Sequence, residues 1–292
     1  MNKDFNKGLL LTSLGSFWWG FIGVIYFEYV SFIGHIELVV HRCIWTAIML
    51  LVTTSFFSKW NIFLEIVSTK KNLIYLFISG FLIFINWAIW IYAVATERII
   101  DASFGYFIMP IISVLLGKIF FKEELNNKRI FSIILVMVSI FILIFFNLKS
   151  LPWVGLIVAF SWAFYNLVRK KINVDTDVGL LIESLFIFPF ALIVFYLITK
   201  NGLNDFNFSN PGFSLFFFFF FPMTVIPLFL YFRGVELIGL GPTGMIFYIT
   251  PTLQFILGYF YYNEDFSLVK FLSFIIIWFA VVIYLKDLYE NN

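Results

Sequence analysis

The sequence predicts an all-α integral membrane protein, with ten transmembrane helices in two inverted five-helix repeats, and three features predict it. The first is composition: of 292 residues, 62% are hydrophobic and 12% charged. Soluble domains run closer to about half and about a quarter. A water-soluble chain of this length lacks the interior volume to hide so much apolar surface. The second is the distribution of Lys and Arg along the chain. The third is a set of residues that recurs at a fixed spacing.

A span takes about 20 apolar residues. Such stretches fall at 8–27, 37–58, 72–94, 101–121, 129–147, 152–168, 178–198, 213–232, 241–261 and 266–285. Barrel strands are about half as long, so at these lengths the backbone must close its hydrogen bonds inside helices. The first stretch follows Lys3 and Lys7, as a secretory signal would, but reaches Tyr26 with no small-residue cleavage site. It is read as a retained first helix. Phe fills much of this apolar surface, with 43 residues and an unbroken run from Phe216 to Phe221. A lipid-facing surface tolerates that bias.

The segments between spans alternate in charge. One set holds Lys3, Lys7, Lys59, Lys70, Lys71, Lys118, Lys122, Lys128, Arg129, Arg169, Lys170, Lys171, Arg233 and Lys286, fourteen in all. The other holds four: Arg98, Lys149, Lys200 and Lys270, with Arg42 left inside a span. The positive-inside rule puts the rich set, with both termini, in the cytoplasm. This predicts a multi-pass protein of the cytoplasmic (inner) membrane.

Pro110, Gly117 and Glu123 recur as Pro251, Gly258 and Glu264, each 141 residues later, in the form Pro-x6-Gly-x5-Glu. Phe17-Trp18-Trp19 is echoed by Phe160-Ser161-Trp162. The chain therefore divides into residues 1–149 and 150–292, each one five-helix repeat. Five is odd, so the halves are expected to run in opposite senses through the membrane. Inverted repeats of this kind build transporters with a site between the halves.

Charges inside a bilayer are costly and usually face a cavity or a partner. Glu37, His41 and Arg42 sit in the second span and Glu183 in the seventh. Glu37 and His41 share a helix face; Arg42 points roughly 140° away from Glu37 and needs another partner. Trp18, Trp19, Trp87 and Trp162 fall near span centres, away from the interfacial positions where Trp usually anchors. Asn86 and Trp90 share a face. With Tyr106, Tyr165, Tyr248 and Gln254 they suggest an aromatic-walled cavity, suited to an amine or quaternary ammonium by cation–π contact. Plain packing is the competing reading for each Trp. Ser16, Gly20 and Gly23 form a packing ridge of small residues. Pro110 and Pro251 read as kinks or hinges.

Other classes are excluded. The net charge of +2 offers no basic face for nucleic acid. A single cysteine, Cys43, rules out an internal disulfide and paired-Cys metal sites. No hydrolase, metalloprotease or phosphate-loop motif occurs, so no cofactor is expected and any transport is secondary or facilitated. An intramembrane enzyme acting on lipid or isoprenoid groups through Glu37, His41 and Arg42 is the rival, and it lacks a clustered carboxylate or metal motif.

Glu37-Leu-Val-Val-His-Arg42, Asn86-Trp87, Ala102-Ser-Phe-Gly-Tyr-Phe107, Tyr248-Ile-Thr-Pro-Thr-Leu-Gln-Phe255 and Asn263-Glu264 together resemble the RarD-type branch of the EamA proteins, in the drug/metabolite transporter superfamily. The resemblance covers nearly the whole chain. It implies ten helices in two inverted halves, a central cavity, and passage of small metabolites such as amino acids, amines or drugs. The candidate substrate-binding set is Trp19, Glu37, His41, Arg42, Asn86, Trp90, Tyr106, Trp162, Tyr165, Tyr248 and Gln254. The expected partners are the solute, membrane lipid, and a proton or sodium ion for coupling, in a monomer or homodimer.

Overall fold

The computed structural model describes residues 3–30, 33–95, 99–147, 153–172, 174–205, 219–261 and 268–291. Arg98, Lys149, Asn263, Glu264 and Phe216–Phe218 lie outside the described residues. Among the described residues every regular element is helical. The elements are α1 (Lys3–Phe17), α2 (Gly23–Tyr29), α3 (His35–Phe56), α4 (Trp60–Ser68), α5 (Lys70–Ala95), α6 (Ile99–Phe121), α7 (Asn127–Asn147), α8 (Trp153–Ile172), α9 (Thr176–Lys200), α10 (Phe220–Ile238), α11 (Leu240–Ile246), α12 (Ile249–Phe260) and α13 (Leu268–Glu290). A π-helical turn, Trp18–Ile22, joins α1 to α2.

Each of the ten predicted stretches contains helix. Among the described residues seven are long and apolar enough to cross a membrane: the joined α1–α2, α3, α5, α7, α9, α10 and α13. The segment 241–261 is not one helix, because Phe247 and Tyr248 interrupt it between α11 and α12. The segment 59–71, which carries no predicted span, holds the nine-residue helix α4. Trp60 and Leu64 face outward there and Ile66 inward, as in a helix lying along an interface.

The outer surface is apolar. Phe56, Phe145 and Phe190 are 81%, 71% and 69% exposed. A protein in water would not show such contiguous apolar cover, whereas lipid solvates it. Inside, α1 packs on α10, α3 on α9, α6 and α5 on α8, and α7 on α13. Each pair joins one helix from residues 1–149 to one from 150–292, so the principal packing runs between the halves.

Two contacts each join segments that the Lys and Arg count assigns to the same side. Lys59 Nζ contacts Asp177 at 2.8 Å and Asp175 at 3.3 Å. Arg129 Nε donates to Asp287 at 2.9 Å. The backbone N–H of Asp205 donates to Glu37 at 2.7 Å.

Candidate functional site

The cavity begins with a defect in the first helix. The Thr250 hydroxyl donates to the Ser16 carbonyl at 2.9 Å. A carbonyl engaged from outside loosens the helical ladder, and here the chain widens into the π turn Trp18–Ile22. Gly20 permits the approach: a Cβ there would lie 2.8–2.9 Å from the Thr250 backbone. The turn aims Trp19 inward, edge-on to Trp162, with ring centroids 5.1 Å apart and planes at 87°. Phe247, freed by the helix break, lies 5.8 Å from Trp19 and 5.9 Å from Tyr106.

These rings bound a narrow cavity of about 60 Å³, part of it open outward. Trp19, Arg42, Asn86, Trp90, Tyr106, Trp162 and Gln254, from the candidate set, line it. So do Gly23, Phe27, Trp87, Leu228, Phe247 and Thr250. Thr250 was detectable from sequence, since it lies one turn before Gln254 on the same face. Phe247 was not, because only the break turns it inward.

Arg42 is buried and lines the cavity. Among the described residues its partner is not an acid. Nε donates to Thr224 Oγ1 at 3.2 Å, and the guanidinium lies 4.3 Å from the Trp87 ring centre and 5.3 Å from that of Phe27. Asn86 Nδ2 donates to the Val158 carbonyl at 3.0 Å and Ser161 Oγ at 3.1 Å, which holds α5 to α8 and sets the side chain at the cavity wall.

Glu37, His41, Tyr165 and Tyr248 are placed elsewhere. His41 Nε2 is 3.3 Å from Glu37 Oε1, and its ring packs edge-on to Phe195 at 5.2 Å. Glu37 also takes the Asp205 N–H. The Tyr165 hydroxyl donates to Glu183 at 3.1 Å; Ser79 donates to the same carboxylate, and Arg169 lies 3.5 Å away. The Tyr248 hydroxyl donates to the Phe107 carbonyl at 2.7 Å. None of the four lines the cavity; Tyr165 and Tyr248 tie separate elements together, and Glu37 ties α3 to the segment after α9. Among the described residues no group of three or more His, Cys, Asp or Glu could hold a metal.

Equivalent positions of the sequence repeat meet each other. Tyr106 touches Phe247, and Phe107 bonds Tyr248, each pair 141 residues apart. Trp19 and Trp162, 143 residues apart, form the central ring pair. The recurring Glu123 also has a visible task. Its carboxylate crosses to the other half and accepts the N–H groups of Leu240 at 2.7 Å and Gly241 at 2.8 Å, while Lys170 pairs with it. Gly117 makes room, since a Cβ there would fall 2.5 Å from the carboxylate. Gly239, at φ +92°, starts α11 beneath it in a conformation that suits glycine.

A helical bundle with apolar spans and an aromatic cavity between residues 1–149 and 150–292 is the architecture of a multi-pass membrane protein with a small-molecule site. The comparisons agree. The EamA-like transporter family model matches residues 6–145 and again 150–286. The uncharacterized transporter YojE of Bacillus subtilis (strain 168) is 32% identical over 97% of this chain and 95% of its own. Protein RarD of Escherichia coli (strain K12) is 31% identical over 98% of this chain and 96% of its own. A solved structure described only as "Crystal structure of protein" shares the fold, with a TM-score of 0.70 and 11% identity over 95% of this chain and 96% of that one. The chain belongs to the EamA-like transporter family, as a RarD-type member.

Proposed function

We propose that this protein is a secondary or facilitative transporter that carries a small metabolite through the aromatic cavity by alternating access. The sequence offers amines, quaternary ammonium compounds and amino acids as candidate solutes. The observation that carries the reading is the meeting of repeat-mates at the cavity. Two-fold-related bodies touch through equivalent residues only near their axis. The Tyr106–Phe247, Phe107–Tyr248 and Trp19–Trp162 contacts therefore support an inverted-repeat axis through the cavity. Rocking of the halves about such an axis opens one site to alternate sides.

In this reading ten helices cross the cytoplasmic membrane, both termini are cytoplasmic, and residues 1–149 and 150–292 are the two repeats. The Glu123 contact lies at the cytoplasmic end and holds that end shut. A proton or sodium ion is the candidate coupling ion, and the unit is a monomer or homodimer in lipid.

The experiment uses Gly23, whose added Cβ would meet only the Trp18 carbonyl, at 3.5 Å. A larger side chain there projects into the cavity. Solutes are screened by thermal stabilisation of the purified protein, and those that bind are measured for uptake into liposomes. Gly23→Phe should fold and lose transport by about tenfold or more, as expected when a filled site excludes its ligand. Undiminished transport through the filled cavity would remove it from the pathway.

A further inference from the structure

Among the described residues, nothing of opposite charge meets the cation that Arg42 presents to the cavity. Among the described residues, none that lines the cavity is acidic. The two acids nearest in kind are engaged elsewhere, Glu37 by His41 and the Asp205 N–H, Glu183 by Ser79, Tyr165 and Arg169. A guanidinium has five N–H donors. Among the described residues Arg42 uses only Nε, toward Thr224. Both terminal nitrogens are left for an acceptor inside the cavity.

A buried charge without a counter-ion is unfavourable at membrane depth. The Trp87 and Phe27 faces offset part of that cost. They cannot take the in-plane N–H groups, which match a carboxylate in a two-point fork. We infer that the substrate itself supplies the counter-charge: a small organic acid whose carboxylate binds Arg42 and whose flat or apolar body lies against Trp19 and Trp162. An amine without an acid group would instead meet a like charge in low dielectric. Of the solutes named above, amino acids satisfy this rule, simple aromatic or aliphatic monocarboxylates join them, and amines and quaternary ammonium compounds drop out. The inference rests on the transport reading of the same cavity.

The test uses matched sets that share a body and differ in charge: indole-3-acetate, tryptophan and tryptamine; phenylacetate, phenylalanine and phenethylamine; hexanoate and hexylamine. Binding is read as thermal stabilisation of the full chain in detergent, and movement as uptake into liposomes. Members bearing a carboxylate should stabilise the protein and the bare amines should not. Arg42→Gln should weaken carboxylate binding by about tenfold or more, the loss expected for a charge-assisted pair. Arg42→Lys keeps the charge if Arg42→Gln fails to fold, and should bind carboxylates more weakly than wild type but still above the amines. Preference for an amine over its matched acid overturns the inference and leaves the transport reading standing. Carboxylate binding unchanged in both Arg42 variants overturns it as well. If no solute of any charge binds or moves, both readings fall.

Discussion

At the residue scale, one helix turn carries two unlike environments. Glu37 and His41 share one face of α3 and close on each other and on Asp205. Arg42, roughly 140° around the helix from Glu37, faces the cavity. This separation was legible from helical spacing; the identity of the partners was not, because Thr224 is 182 residues away in sequence. Transport should register the difference. Arg42→Lys is expected to impair it about tenfold, since an ammonium cannot reproduce a two-point fork. Normal transport by a well-inserted Arg42→Lys would leave only a replaceable charge. Trp19→Leu and Trp162→Leu each remove half of the edge-to-face ring pair. They should lower affinity for any solute that stabilises the wild type, and wild-type affinity in both would detach the rings from recognition. Trp90→Leu tests the far wall in the same assay.

At the scale of elements, the Pro-x6-Gly-x5-Glu pattern acquires a physical cause. Gly117 is small because Glu123 folds back over it, and Glu123 is acidic because it meets two backbone N–H groups at the start of α11 and the Lys170 ammonium. Hydrogen bonds to charged groups contribute about 1.5–3 kcal/mol each. Glu123→Gln should therefore loosen this end of the molecule. Cysteine labelling of a Val235→Cys reporter, at a buried position in the cleft beside Lys170, should rise about tenfold, the equivalent of roughly 1.4 kcal/mol. Equal labelling in both backgrounds would mean that the contact does not hold the end closed. The ridge of small residues gives a second outcome. Gly20→Val forces a side chain into the Thr250 backbone, and should destabilise the protein by about 1–3 kcal/mol in thermal unfolding.

At the scale of the whole molecule, charge predicts sidedness. Lys59, which pairs with Asp177, and Arg129, which pairs with Asp287, belong to the set of fourteen Lys and Arg. Reporter fusions at both termini should report the cytoplasm, as fourteen cations against four predict. Either terminus outside would break the ten-helix topology.

Composition was sufficient for the membrane class, and long apolar runs for the seven helices that are long enough to cross a membrane among the described residues, because lipid leaves the backbone few choices. Polar and aromatic residues at membrane depth were also legible, and of these Trp19, Asn86, Trp90, Trp162 and Gln254 share one cavity. Tertiary structure decided which polar residues face that cavity. Tyr248 and Tyr165 look as suitable as Tyr106 along the chain, yet the break at Phe247–Tyr248 turns Tyr248 toward Phe107, and Glu183 draws Tyr165 into a brace. A buried polar group goes where its hydrogen bonds can be met. That depends on residues far away in sequence, so it is settled only when the helices pack.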